Sequence, residues 1–150
     1  MSLREAEAAL TNLEGLVRRQ TPPSHYVARH VLLALGQVLR EEVPEGSTLL
    51  ERARAAGAAA GPAWGEAVHT ELTLACGEFA QSVDPRYLEL PDYDFEYTRG
   101  ARLRLADRLR AAKELGFELA PREAEVLELA DRVLASREAR PNGARRPGPR

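Results

Sequence analysis

Two residue patterns in this chain have the types and spacing for chemistry. In GEAVHTE, Glu66 and His69 stand three residues apart, the spacing at which carboxylate-bridged di-iron bundles set a glutamate and a histidine on one helix face. Such a centre also needs a second Glu-x-x-His and two more glutamates from facing helices. The sequence holds no second Glu-x-x-His, although a symmetric dimer would supply one, so Glu66 and His69 stand as a minor metal-binding candidate. The remaining histidines, His25 and His30, lie about 140° apart around a helix axis and do not share one ion. The plainer reading sets His69 at the border of a buried face, beside an exposed Glu66. The second pattern is a thiol, with His69, Thr73 and Cys76 along one helix. Seven residues of helical rise separate Cys76 from His69 by about 10 Å, too far for the hydrogen bond that activates a nucleophile. A lone cysteine among Leu72, Ala75 and Phe79 reads as a small core residue. No glycine-rich phosphate loop follows a strand, and no cysteine–histidine ligand set is clustered. No cofactor is expected, and catalysis is not the expected activity.

More charge and aromatic character gathers in LPDYDFEYTRGARLRLADRLR, residues 90–110. Residues 84–98 carry a net charge of -4 and residues 99–113 a net charge of +5. Tyr87, Tyr93, Phe95 and Tyr97 sit in the acidic half. On a helix, Arg99, Arg102, Arg110 and Lys113 fall within about 80° of one another and make a basic stripe. Three readings compete. The acidic half folds back and neutralises the arginines, at a contribution of about 0–1 kcal/mol for each exposed pair. Alternatively, the four aromatics form a docking surface for a protein partner, in keeping with the enrichment of tyrosine and arginine at interface hot spots. In the third reading, Arg99, Arg102, Arg110 and Lys113, with tail arginines including Arg145 and Arg146, bind the phosphates of a nucleic acid through forked guanidinium donors.

The elements that must position these residues are helices. Leu3, Ala6, Leu10, Leu13 and Val17 recur at helical spacing, Ser2 and Glu5 have capping-box spacing, and QTPPS ends the first helix near residue 19. Ser24 caps a second, to about residue 42, whose unbroken VLLAL predicts an enclosed central helix. Ser47 caps a third over 48–57, and AAGAAAGPAWG reads as an Ala/Gly hinge. Pro62 opens a fourth, with Trp64, Val68, Leu72, Ala75 and Phe79 on one face. The stretch 82–98 has two prolines and no sustained period, which predicts an ordered loop. Thr98 caps a fifth helix that ends near Leu115 before Gly116, and a sixth covers about 121–139. Residues 140–150, RPNGARRPGPR, read as a disordered basic tail.

Residues 119–140, LAPREAEVLELADRVLASREAR, resemble the opening of the helix-turn-helix of LuxR-type response regulators. Leu119, Pro121, Arg122, Glu123, Glu125, Val126, Leu127 and Leu129 match the pattern, and Arg137 and Glu138 fall in register. Val133 stands where that family has its turn glycine, and Ala120 replaces the capping threonine. The recognition helix that the resemblance implies should come next, where this chain gives PNGARRPGPR. No functional residue is carried across.

At 150 residues, one domain of this length buries roughly 70% of its unfolded surface. The net charge of -2 marks out no polyanion-binding molecule as a whole, and aromatics at 5% point away from β-rich folds. One cysteine excludes an internal disulfide and fits a reducing compartment. No basic-then-apolar leader opens the sequence, and no aliphatic run approaches the ~20 residues of a membrane span. Arginine outnumbers lysine 20 to 1, which reads as the coding bias of a GC-rich bacterial genome. The expectation is therefore an all-α, single-domain bundle of about six helices over 1–139, cytoplasmic and non-enzymatic. It would act through protein–protein contacts, with itself as one partner. Nucleic-acid binding is the first alternative and metal binding at Glu66 and His69 the second.

Overall fold

The computed structural model describes residues 2–82 and 95–138, with side chains placed over 3–77, 104–121, 123–128 and 131–132. These residues form six helices and no strand: α1 (Ser2–Arg18), α2 (His25–Arg40), α3 (Gly46–Ala60), α4 (Pro62–Ser82), α5 (Phe95–Glu114) and α6 (Pro121–Glu138). The all-α fold class expected from the periodicity is the observed one. No described helix is long and apolar enough to cross a membrane.

Helix α2 is the central element and packs against α1, α3, α4 and α5. The VLLAL run explains this, because Val31, Leu32, Ala34 and Leu35 are all buried and are joined by Ala28 and Val38. Side chains such as Leu32 and Leu35 each contribute about 1.5–3 kcal/mol by leaving water. A surface ion pair contributes about 0–1 kcal/mol, so apolar burial holds the bundle and charge pairs select its register. Helix α5 is enclosed almost as fully. Leu105, Ala106, Asp107, Arg108 and Leu109 are buried in unbroken succession, more than a full turn, with α2, α4 and α6 packed around it.

Helices α2 and α5 approach closely. Gly36 faces the backbone of Asp107 so directly that a Cβ at position 36 would overlap the Asp107 carbonyl and come within 2.7 Å of its Cα. Only a residue without a Cβ lets the two backbones meet in this way. The contact sets the depth at which α5 sits on α2.

Several boundaries differ from the sequence reading. The Ala/Gly stretch is not a hinge: α3 runs helically to Ala60, Gly61 makes the turn at φ 75°, and α4 begins at Pro62. Trp64 packs on Gly57, where a Cβ would meet the indole Cδ1 at 2.5 Å, so the apparent low complexity is a tight helix–helix corner. Helix α3 starts at Gly46 with Glu45 at its N-cap, two residues before the expected Ser47. Ser24 does precede α2, but its side chain makes no capping hydrogen bond. Helix α1 already includes Ser2, so Ser2 is not its N-cap; the Ser2 side chain lies outside the described ones. Helix α5 begins at Phe95, so Phe95 and Tyr97 lie on its first turn instead of in a loop. Nothing in Phe-Glu-Tyr opposes a helix, and Glu96 suits a helix N-terminus electrostatically. Tyr87 and Tyr93 lie outside the described residues, as do Arg145, Arg146 and the remainder of the tail. Helix α6 continues unbroken through Val133, so the turn of a helix-turn-helix does not occur there. Glu123 accepts a hydrogen bond from the Ala120 backbone N–H at 2.9 Å, retaining the acidic half of a capping box.

Gly116 performs its expected role. At φ 98° it lets Phe117 N–H donate to the Ala112 carbonyl at 2.9 Å and its own N–H donate to Lys113 at 3.0 Å, the two bonds of a Schellman cap.

Two outcomes test this packing. Gly36→Ala should destabilise the protein by about 1–3 kcal/mol through backbone overlap. Gly65→Ala, a helical position with nothing within 4 Å of the added Cβ, should be neutral or stabilising by up to about 1 kcal/mol. Urea unfolding of both variants measures the contrast, and equal midpoints would refute the close approach. The second outcome concerns the clamp between α1 and α3. Arg52 donates to both carboxylate oxygens of Glu14, at 2.8 and 3.1 Å. That hydrogen bonding holds the Glu14 carboxyl below its ordinary value of 4.5, against the opposing effect of burial. A depressed folded value means that the pair's stabilisation is complete above the unfolded value and is lost as pH falls through the folded one. Glu14→Gln should therefore lower the urea midpoint at neutral pH, with the difference from wild type shrinking below pH 4.5. A difference that persists unchanged into acid would exclude this linkage.

Candidate functional site

The buried stripe of α4 runs Val68, Leu72 and Ala75, and that of α5 runs Leu105, Leu109 and Ala112. Each stripe carries a charge at the i+3 position of its first residue. Glu71 occupies it on α4 and Arg108 on α5, and they are 0% and 8% exposed. The two meet: Arg108 Nη1 donates to Glu71 Oε2 at 2.6 Å. From α2, Arg29 Nε donates to both carboxylate oxygens of Glu71 at 3.2 Å. Arg108 Nε also donates to the Arg104 carbonyl at 3.2 Å. One carboxylate thus joins three helices, and a buried charge of this kind persists only when paired and hydrogen-bonded.

Two guanidiniums around one carboxylate leave a surplus positive charge, and the geometry carries it outward. The Arg29 side chain is 31% exposed, and its Cζ lies 5.5 Å from the centre of the Tyr26 ring, within cation–π range. Tyr26 is itself 59% exposed and packs against the His25 ring at 4.2 Å between centroids, tilted by 33°. Leu74, on α4, is the other large apolar side chain exposed among the described residues.

A second set of charges runs along α5. Arg40 grips Asp107 with two bonds, Nε to Oδ1 at 3.0 Å and Nη2 to Oδ2 at 3.2 Å. Arg110 donates to Asp107 Oδ1 at 3.3 Å and to Asp131 of α6 at 2.8 Å. Above these residues lies an open groove of about 700 Å³ between α1 and α5, with α2 as its floor. Ala8 and Ala9 line one wall, Leu33 and Ala34 the floor, and Arg104 and Asp107 the other wall.

The candidates from sequence are distributed differently. Glu66 and His69 are both exposed on α4, and no group of three His, Cys, Asp or Glu side chains comes together as a metal site among the described residues. Cys76 is buried within the apolar core. Of the basic stripe, Arg110 and Lys113 have described side chains. Arg110 is committed to Asp107 and Asp131, while Lys113 is exposed. Glu71 of α4 pairs with Arg108, while Asp107 of α5 itself and Asp131 of α6 pair with Arg110; the acidic stretch 84–94 lies outside the described residues. Glu71, Asp107 and Arg29 were overlooked in sequence. The signal was present for Glu71 and Arg108, because opposite charges sit at equivalent stripe positions of two helices.

No protein-family model, no curated protein and no solved structure matches the chain.

The junction makes a direct claim about stability. Glu71→Leu strands Arg108 in the core, with an expected loss of about 3–5 kcal/mol. The double variant Glu71→Leu/Arg108→Met replaces the pair by apolar volume and should recover most of that loss. Denaturant unfolding of both variants decides the matter, and a double variant no more stable than the single one would contradict the pairing.

Proposed function

We propose that this chain is a non-enzymatic, cytoplasmic binding protein that engages a protein partner through the Tyr26 surface. The observation that carries this reading is the fixed presentation of an exposed tyrosine. Tyr26 is stacked on His25 and lies under Arg29, which is anchored to the buried Glu71. A side chain held in place before contact loses little rotamer freedom on binding, which favours affinity. Tyrosine and arginine are also the residue types that dominate interface energetics. The surplus positive charge near Arg29 suits an acidic partner surface. The aromatic cluster expected at Tyr87, Tyr93, Phe95 and Tyr97 belongs to the same reading as a second contact region. Arg110, paired with two aspartates that offset its charge, weighs against the basic stripe as a phosphate-binding surface.

A photo-cross-linking residue in place of Tyr26 tests the proposal in cells, with the exposed Glu51 position as control. A discrete adduct at position 26 and none at position 51 is expected. With the partner purified, Tyr26→Ala should weaken binding at least ~10-fold, as for a hot-spot residue, without changing thermal stability. The absence of any adduct specific to position 26 would remove this surface from consideration.

A further inference from the structure

We infer that the groove between α1 and α5 is the seat of helix α1 from a second copy of this chain, in a two-fold symmetric dimer. This uses a different surface from Tyr26 and stands independently of it. Helices α1 and α5 both pack on α2 and have at most a marginal contact with each other among the described residues. The three helices therefore form three sides of a four-helix arrangement, and the fourth place is the groove. Helices in such bundles pack with axes about 8–10 Å apart, and alanines on the wall and floor, Ala8, Ala9 and Ala34, permit that approach. With 17 residues, α1 is about 25 Å long, enough to run along the groove.

Charge identifies the occupant as a second copy. Glu5 lies on the α1 wall and Arg104 on the α5 wall. Neither side chain has a hydrogen bond or ion pair with any other residue among the described ones. An interface that is its own partner must be self-complementary. A groove of one sign would repel its copy, whereas this one holds a charge of each sign that is unpaired among the described residues. When α1 of the second copy enters the groove, its Glu5 meets Arg104, and the two-fold axis repeats the pair on the other side. The small Ala8 side chains face each other where the two α1 helices cross. A foreign acidic or basic helix would satisfy only one of the two charges.

The test is light scattering coupled to size exclusion on the full chain, with circular dichroism confirming that each variant keeps its helicity. The wild type should have twice the 16.5 kDa chain mass. Glu5→Arg alone places arginine against arginine twice, and Arg104→Glu alone places glutamate against glutamate twice, so each should raise the dimer dissociation constant at least tenfold. Mixing the two variants makes both contacts complementary and should restore the dimer. A wild type that stays monomeric overturns the inference, as does a dimer indifferent to either substitution or single variants that mixing fails to rescue. If the chain is monomeric but position 26 still forms its adduct, only the second-copy seat fails. A dimer with no adduct at position 26 removes only the Tyr26 surface.

Discussion

A carboxylate removed from water must find its counter-charge within the fold, and in this bundle Glu71 finds it on two other helices. Arg29 from α2 and Arg108 from α5 reach the same group on α4. Because guanidinium and carboxylate are both directional, the three helices have little freedom to slide. One consequence is the meeting of Gly36 with the Asp107 backbone, which then allows Arg40 to grip Asp107 with two bonds. A slip of one helical residue on α5 would turn Arg108 away from Glu71 and drive a side chain into Gly36. Apolar burial supplies most of the stabilisation, and the paired charges add a directional constraint to it. The charges discriminate between registers, a role for buried polar groups that has support in helical bundles.

The same junction organises the surface. Arg29 belongs at once to the buried pair and to the exposed Tyr26, so the position of an outward aromatic is inherited from the core. The second region, the α1–α5 groove, arises because α2 is central enough to support α1 and α5 on two sides with at most a marginal contact between them. Both surfaces follow from α2 as a hub. The proposed protein-binding role would accordingly rest on side chains that the α2 scaffold holds in place.

Local chemistry made much of the fold legible in the sequence. Pro22 and Pro23 separate α1 from α2, the VLLAL run marks the enclosed helix, and Gly116 closes α5 with a left-handed cap. Readings that depended on tertiary context went astray. The Ala/Gly run looks flexible until Trp64 is placed on Gly57, and Phe95 looks like loop until α5 is seen to begin there. Arginine is seldom buried, and the basic stripe expected from helical spacing leaves Arg108 out. Yet Arg108 sits at a core position, and only its partner 37 residues away makes that tolerable. Composition reveals neither the partner nor the register, whereas matching the stripe positions of α4 and α5 would have done so.

Native-state hydrogen exchange across α2, α4 and α5, in the wild type and in Glu71→Gln, tests the organising role of this carboxylate most directly. The buried amides of Val31–Val38, Val68–Ala75 and Leu105–Ala112 should open together with the free energy of global unfolding. The substitution should lower all three by the same amount. Independent opening of α4, or a loss confined to the turn around residue 71, would contradict a junction that holds the three helices as one cooperative unit.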